Sequence, residues 1–384
     1  MAVAVKSGGA VKQFGAIRQN RHEYAKEWKK RTGGKVLGYF CTYVPEELIE
    51  AAGVLPVRIM GSHEPEDVTE PHIYKMYCPF CRDCLAQGLK GRYDYLDGVM
   101  IAHSCTHIRQ AYASWTIHLP TSFQYYFSMP AKVQTPLAKP FLTSEMKAFK
   151  AALEKWTGQK ISDDKIDKAI GVYNTNRRLM REIYDLRKSA TPPISGMESM
   201  EMVVAGQMMD KKEHNKLLEQ ALTELKKKTG GNEPSSRLII IGSEDDDTEF
   251  LDMVESLGAS VVVDDHCTGS RYFWNEVVPK DNRLEALAER YLTRPACPQK
   301  DWEERTRWPH IEKLCDDWKV QGALLIQQKF CDPHEFDIPY LNKKLQEKNI
   351  PSLFLEFDVL VPVGQFRTRV EAFLEMIQQA SLEF

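Results

Sequence analysis

The sequence predicts an α/β protein: two parallel-sheet domains of the Rossmann or flavodoxin kind, joined by a helical section. Three observations carry this expectation. Short apolar runs bounded by turn residues alternate with helical stretches in both the first and the last third of the chain, as strands do when crossover helices separate them. The middle, from about residue 143 to 229, carries only long helical patterns. Finally, 384 residues with 43% hydrophobic content suffice for two or three domains with sizeable cores. The expected organisation is an N-terminal arm (1–34), a first α/β domain (35–142), a helical connector (143–232) and a second α/β domain (233–384).

In chain order, "KVLGYF" at 35–40 reads as a buried strand, "TYVP" as a turn, and "EELIEAAG" as a short helix with an acidic start and a glycine end. "LPVRIMG" reads as the next strand. Residues 97–102 of "YDYLDGVMIAHSC" form another apolar run, and "FQYYFSMP" is a strand stopped by Pro130. Three helical segments follow: "SEMKAFKAALEKWTG", "DDKIDKAIGVYNTNRRLMREIYDLRKSA" and "KKEHNKLLEQALTELKKKTG", interrupted by "TPPISG". Thr143 and Ser162 are the expected N-caps, and Gly158 and Gly230 the expected ends. "GGNEPSS" at 230–236 reads as a linker. "RLIIIGS" then opens a second alternation: helix "DTEFLDMVESLG", strands "ASVVVDD" and "ALLIQQKF", helix "IPYLNKKLQEKN", strand "IPSLFLEFD" and helix "RTRVEAFLEMIQQA".

The charge balance, Lys+Arg 51 against Asp+Glu 54, gives no basic excess for neutralising phosphates, so nucleic acid is not an expected partner. "EWKKR" and "ELKKKTG" read as solvated helix faces. No apolar run reaches the roughly 18 residues of a membrane span, and "MAVAVKSGGAVKQFG" lacks the apolar stretch of a signal peptide, so the expected location is the cytoplasm. In that reducing compartment nine cysteines point to burial, catalysis or metal ligation before disulfides.

"YCPFCRDC" at 77–84 places Cys78, Cys81 and Cys84 three apart, like the start of a ferredoxin run, but no C-x3-C-P ending follows. A second cysteine pair, as structural zinc sites use, is also absent; His72, His103 and His107 keep a three-cysteine, one-histidine zinc site open. Pro79 suits the first helical turn, which puts Cys78 just before a helix whose N-terminal N–H groups and dipole favour a thiolate. Cys81 and Cys84 fall one and two turns down that helix, as buried apolar residues or as further ligands. Cys41, Cys105, Cys267 and Cys331 each stand just past a strand's carboxyl end, where open α/β sheets bind ligands. If the two halves face each other, these thiols converge on one cleft. Cys297, in a loop, and Cys315, in a helix, lack that placement and read as structural. A soft, thiolate-rich site favours an iron–sulfur cluster over harder metals.

From about residue 35 to 380 the chain resembles the subunits of 2-hydroxyacyl-CoA dehydratases and benzoyl-CoA reductases. The resemblance rests on "GYFCTYVPEELIEAAGVLPVRI", "YCPFCRDCLAQG", "DGVMIAHSCTHIRQAY", "VVVDDHCTGSRYF", "QQKFCDPHEFDIPYL" and "LEFDVLVPVGQFRTRVEAFLEM", in that order. "FCTYVPEE" and "KFCDPHEFD" make the gamma-type subunits of ATP-dependent benzoyl-CoA reductases the nearest group. The resemblance implies a [4Fe-4S] cluster on Cys78, Cys105 and Cys331, with one iron free of protein ligands. Cys81 and Cys84 depart from the usual pattern and leave room for a double-cubane cluster. It further implies ATP-driven, two-electron dearomatisation of benzoyl-CoA to a cyclic diene, with a homologous beta-type subunit, ATP-hydrolysing activator subunits that carry their own cluster, and ferredoxin as donor. The chain has no G-x4-G-K-[ST] loop, so partner subunits would handle ATP. His103, His107 and His334 are the candidate proton donors, or else hydrogen-bond thiolates; Cys41 lines the substrate pocket or fills space. "DDHCTGSR" (Asp264, Asp265, Arg271) and "GQFRTR" (Gln365, Arg367, Arg369) position a cluster or CoA, or tie the domains together. Radical dehydration of a 2-hydroxyacyl-CoA and a non-catalytic iron–sulfur or zinc scaffold are the alternatives.

Overall fold

The structure, a computed structural model, describes residues 9–65, 67–228 and 233–382. Its first part runs α1 (Ala10–Gln19), α2 (Arg21–Thr32), β1 (Val36–Phe40), α3 (Glu46–Ala51), β2 (Leu55–Arg58), α4 (Pro79–Leu89), β3 (Gly98–Ala102), α5 (Thr106–His118) and β4 (Phe123–Phe127). Four helices follow: α6 (Ala138–Thr157), α7 (Asp163–Leu186), α8 (Gly196–Gly206) and α9 (Lys211–Lys227). The remainder is β5 (Arg237–Gly242), α10 (Thr248–Ser256), β6 (Ser260–Asp265), α11 (Ser270–Phe273), α12 (Arg283–Thr293), α13 (Arg307–Asp317), β7 (Gly322–Gln328), α14 (Asp332–Glu347), β8 (Ser352–Phe357) and α15 (Val363–Leu382).

The strands form two four-stranded sheets with one topology, β2-β1-β3-β4 and β6-β5-β7-β8, and every pairing is parallel. This is the flavodoxin-like order, in which the first strand sits inside and the chain reverses direction between strands one and three. β1, β3, β5 and β7 are buried along their whole length, as strands covered by helices on both faces must be, which is why their sequences are nearly unbroken apolar runs. The outer strands β4 and β8 are partly exposed.

The helical segments form as expected, with one difference at a terminus. Ser162 caps α7 by accepting from the Lys165 N–H, and Gly158 ends α6 in the left-handed conformation at φ 70°. Thr143 is not an N-cap: α6 begins five residues earlier, at Ala138, because its first turn accommodates Pro140, and the Thr143 hydroxyl donates back to Lys139 O at 2.8 Å. Gly230 lies outside the described residues.

The two sheets are laced together by elements that cross between them. Phe14 of α1 packs with Leu218 and Ile239, while Leu287 and Tyr291 of α12 cover the first sheet beside Met100, Leu142 and Phe149. Glu47 of α3 makes a buried ion pair with Arg177 of α7 and accepts from Tyr291 Oη at 2.9 Å. Glu46 accepts from Tyr39 Oη at 3.0 Å and from Tyr272 Oη at 2.6 Å. No helix among the described residues is long and apolar enough to cross a membrane.

Candidate functional site

The carboxyl ends of both sheets open on a single pocket of about 90 Å³, far below the roughly 300–1,000 Å³ of a drug-sized ligand site. It admits a compact group or the reacting end of a larger molecule. Seven of the nine cysteines line it: Cys41, Cys78, Cys81, Cys105, Cys267, Cys297 and Cys331.

Three of these share one local arrangement. Cys78 precedes α4, Cys105 precedes α5 and Cys331 precedes α14, each in the N-cap position. Pro79 and Pro333 fit the first turns of α4 and α14, where no amide hydrogen is needed. Three helix N-termini therefore point their positive ends at one set of sulfurs. Cys105 Sγ accepts from the Ile108 N–H at 3.5 Å. The Cys78 N–H donates to His107 Nδ1 at 2.9 Å. A hydrogen bond from Cys81, helped by His107, brings the Cys78 thiol down to about 6 despite its burial, and pushes Cys81 up in turn. Burial, then the neighbouring Cys78, raise Cys105 to about 12 and raise Cys331 as well. Each thiolate suppresses ionisation of the next, and a cationic metal group between them would relieve that repulsion. In donor type and charge the three residues fit a thiolate-bound cluster. Among the described residues no three His, Cys, Asp or Glu side chains gather closely enough for a single metal ion. His72, one histidine considered for zinc, lies against His118 with ring centroids 4.2 Å apart.

Arginines gather at and behind the opposite wall: Arg58 lines the pocket beside Glu244, and Arg271 and Arg294 stand further back. Cys267 follows β6, and burial, which would raise its pKa, is outweighed by Arg271, Arg58 and Arg294, which lower it. Arg58, at the end of β2, donates to Cys267 O at 3.1 Å and pairs with Glu244. Cys297 lines this pocket too, so the expectation of a merely structural role for it does not match its position: the segment after α12 returns to the first sheet, where the Cys297 N–H donates to Tyr43 Oη at 3.1 Å. The sequence carries a signal for it, since Cys297–Pro298 repeats the Cys78–Pro79 pattern at the start of a 3-10 turn. Cys41 lines the first-sheet side with φ at 70°, a left-handed conformation uncommon outside glycine.

The remaining candidates separate clearly. His334 lines the pocket, is 4% exposed, and its Nδ1 has no hydrogen-bond partner. Burial, then Arg307 and Arg271, hold it well below the usual imidazole range, so the ring is neutral. His107 stands behind Cys78, with Nε2 3.6 Å from Asp332. His103 is not among the lining residues; its ring packs on Tyr126, centroids 5.5 Å apart. Cys84 is buried outside the pocket against Ile59 O, and Cys315 lies in the apolar core of the second half. Asp265 and Arg271 sit behind Cys267, whereas on α15 Arg367 pairs with Glu371 and Arg369 donates to Phe354 O of β8.

The family profile described as 2-hydroxyglutaryl-CoA dehydratase, D-component, matches residues 41–377. The chain belongs to that family. This D-component family member is 28% identical over 365 residues to the (R)-phenyllactyl-CoA dehydratase beta subunit of Clostridium sporogenes, covering 95% of this chain and 97% of that protein. It is 27% identical over 340 residues to a subunit of the benzoyl-CoA reductase of Thauera aromatica, covering 87% and 88%. It is also 27% identical over 355 residues to the beta subunit of (R)-2-hydroxyglutaryl-CoA dehydratase of Acidaminococcus fermentans, covering 91% and 94%. Dehydratase and reductase subunits are thus equally similar to it.

Proposed function

We propose that this chain is the iron–sulfur subunit of a heteromeric enzyme that carries out single-electron chemistry on a CoA thioester, and specifically the ATP-driven, two-electron dearomatisation of benzoyl-CoA. The observation that carries this reading is the convergence of Cys78, Cys105 and Cys331, each capping a helix, on one pocket between the two sheets. A [4Fe-4S] cluster on these three residues would supply low-potential electrons one at a time. His334, which lines the pocket with an unpartnered Nδ1, is the candidate proton-transfer group; its neutral ring would take up a proton before passing one to the substrate. His107 fixes the Cys78 backbone. The small pocket volume favours entry of only the acyl end of the thioester, with the CoA moiety and a homologous subunit outside it. ATP hydrolysis and ferredoxin oxidation belong to partner subunits, since the chain lacks a phosphate-binding loop.

Two observations favour variants of this reading. The dehydratase names of two full-length relatives favour radical dehydration of a 2-hydroxyacyl-CoA. The four further pocket cysteines Cys41, Cys81, Cys267 and Cys297 favour a double-cubane cluster, with its second ligand set drawn from these residues and not from Cys84, which is buried outside the pocket. The test is anaerobic co-production with the partner subunits to count electrons per thioester converted, with iron per chain measured on this chain purified by itself. Two electrons consumed per benzoyl-CoA supports reduction; turnover of a 2-hydroxyacyl-CoA with only catalytic electrons replaces it with dehydration. About four irons per chain indicates one cubane, and about eight indicates two.

A further inference from the structure

We infer that Arg58, which lines the pocket, and Arg271 and Arg294, buried behind Cys267, form a cationic wall that compensates the negative charge of the thiolate-bound group in the pocket and raises its reduction potential. This rests on the cluster reading above and assigns it positioning residues that no ligand pattern reveals. All three guanidiniums are almost fully enclosed, at 2%, 1% and 4% exposure, and a guanidinium keeps its charge even there. Their hydrogen-bonding capacity is not used up within the protein: Arg58 Nε, Arg294 Nε, and both Nε and Nη1 of Arg271 lack partners.

The nearby carboxylates balance them only in part. Glu244 pairs with Arg58. Asp265 is shared, its Oδ1 3.7 Å from Arg271 Nε and its other oxygen 2.6 Å from Arg307, which also pairs with Asp337. Arg294 donates to Thr42 O at 2.6 Å and to Arg271 O, which are neutral acceptors. Lys300, 1% exposed, adds a further cation on neutral acceptors, its ammonium bonding His103 O at 3.1 Å. An uncompensated buried charge of this kind is costly, so a stable fold that retains it must meet an anion there. Arg58 donates to Cys267 O on the pocket lining, and a thiolate-bound cluster in that pocket is the anion these cations would meet. A fixed positive charge beside such a group favours the extra electron, and removing the charge makes reduction harder.

The experiment is an EPR-monitored redox titration of the anaerobically reconstituted full chain as wild type, Arg271→Gln and Arg271→Lys, with iron and sulfide measured on each sample. The expected result is full iron content with a lower potential in the glutamine variant and a potential near wild type in the lysine variant. Loss of iron from the glutamine variant alone supports the inference equally, since only the charge differs in kind. An unchanged potential at full iron content overturns the wall and leaves the cluster reading standing. Equal shifts in both variants, or loss of iron from both, mark a packing role and also overturn it. A wild-type chain that takes up no iron overturns the cluster reading and this inference together.

Discussion

The two halves of the molecule use one topology for different chemistry. In each sheet the third strand is followed by a cysteine at the N-cap position of the next helix: Cys105 after β3 and Cys331 after β7. At the end of the first strand they diverge, with Cys41 after β1 and Ser243 and Glu244 after β5. The crossover helices differ as well. α3 adds to its buried Leu48 and Ile49 two carboxylates that reach buried partners, whereas α10 buries Phe250, Leu251 and Val254 in an apolar core. A repeated scaffold sets where a ligand can sit, and the residues at its strand ends set which ligand.

The sharpest way to break this comparison is Glu47→Ala, which leaves Arg177 as a lone buried charge under the first sheet. The expected cost is about 3–5 kcal/mol in chemical denaturation, and a cost under about 1 kcal/mol would contradict the assigned role of that pair. Next comes the proton donor: His334→Gln is expected to lower kcat roughly 100-fold in the assembled enzyme with iron content unchanged, whereas His103→Gln leaves kcat nearly untouched. Equal losses in the two variants would remove the distinction drawn between them.

The pH dependence of stability tests the latch between the halves. His63, after β2, binds Asp246, after β5, at 2.8 Å. Burial alone would lower the His63 pKa, but Asp246 raises it to about 10. A folded-state value above the unfolded one means the latch is at full strength below about 6.5 and fades as pH rises toward 10. Between those limits wild type should lose stability relative to His63→Gln; parallel curves would contradict the latch. The smallest effect concerns the strained strand end. Cys41→Gly removes the left-handed strain at φ 70° and should leave stability within about 1 kcal/mol, while Cys41→Val should cost more than that.

Much of the scaffold is legible in the sequence because buried parallel strands leave unbroken apolar runs such as "RLIIIG" and "GALLIQQ", and strand-end cysteines follow from them. Thr143 misleads because it is a good capping residue, while Pro140 sets the true first turn of α6. Cys297 is not legible from strand ends, since a return of the chain after α12 brings it to the pocket, although its following proline repeats the Cys78 pattern. Arg58, Glu244, Arg294 and Lys300 are out of reach for a different reason: each gains its place through contacts with residues distant in sequence. The same holds for the separation of His334, in the first turn of α14, from His103, just past β3, which depends on which way each side chain turns.

If the capping cysteines Cys78, Cys105 and Cys331 hold a cluster and the buried cysteines outside the pocket do not, metal content will divide the cysteine variants into two groups. Iron and acid-labile sulfide should be measured in anaerobically purified wild type, Cys105→Ala, Cys331→Ala, Cys84→Ala and Cys315→Ala. Iron and sulfide present in wild type, lost in the first two variants and kept in the last two, is the predicted result. Zinc alone in wild type, or iron undiminished in Cys105→Ala and Cys331→Ala, would contradict it.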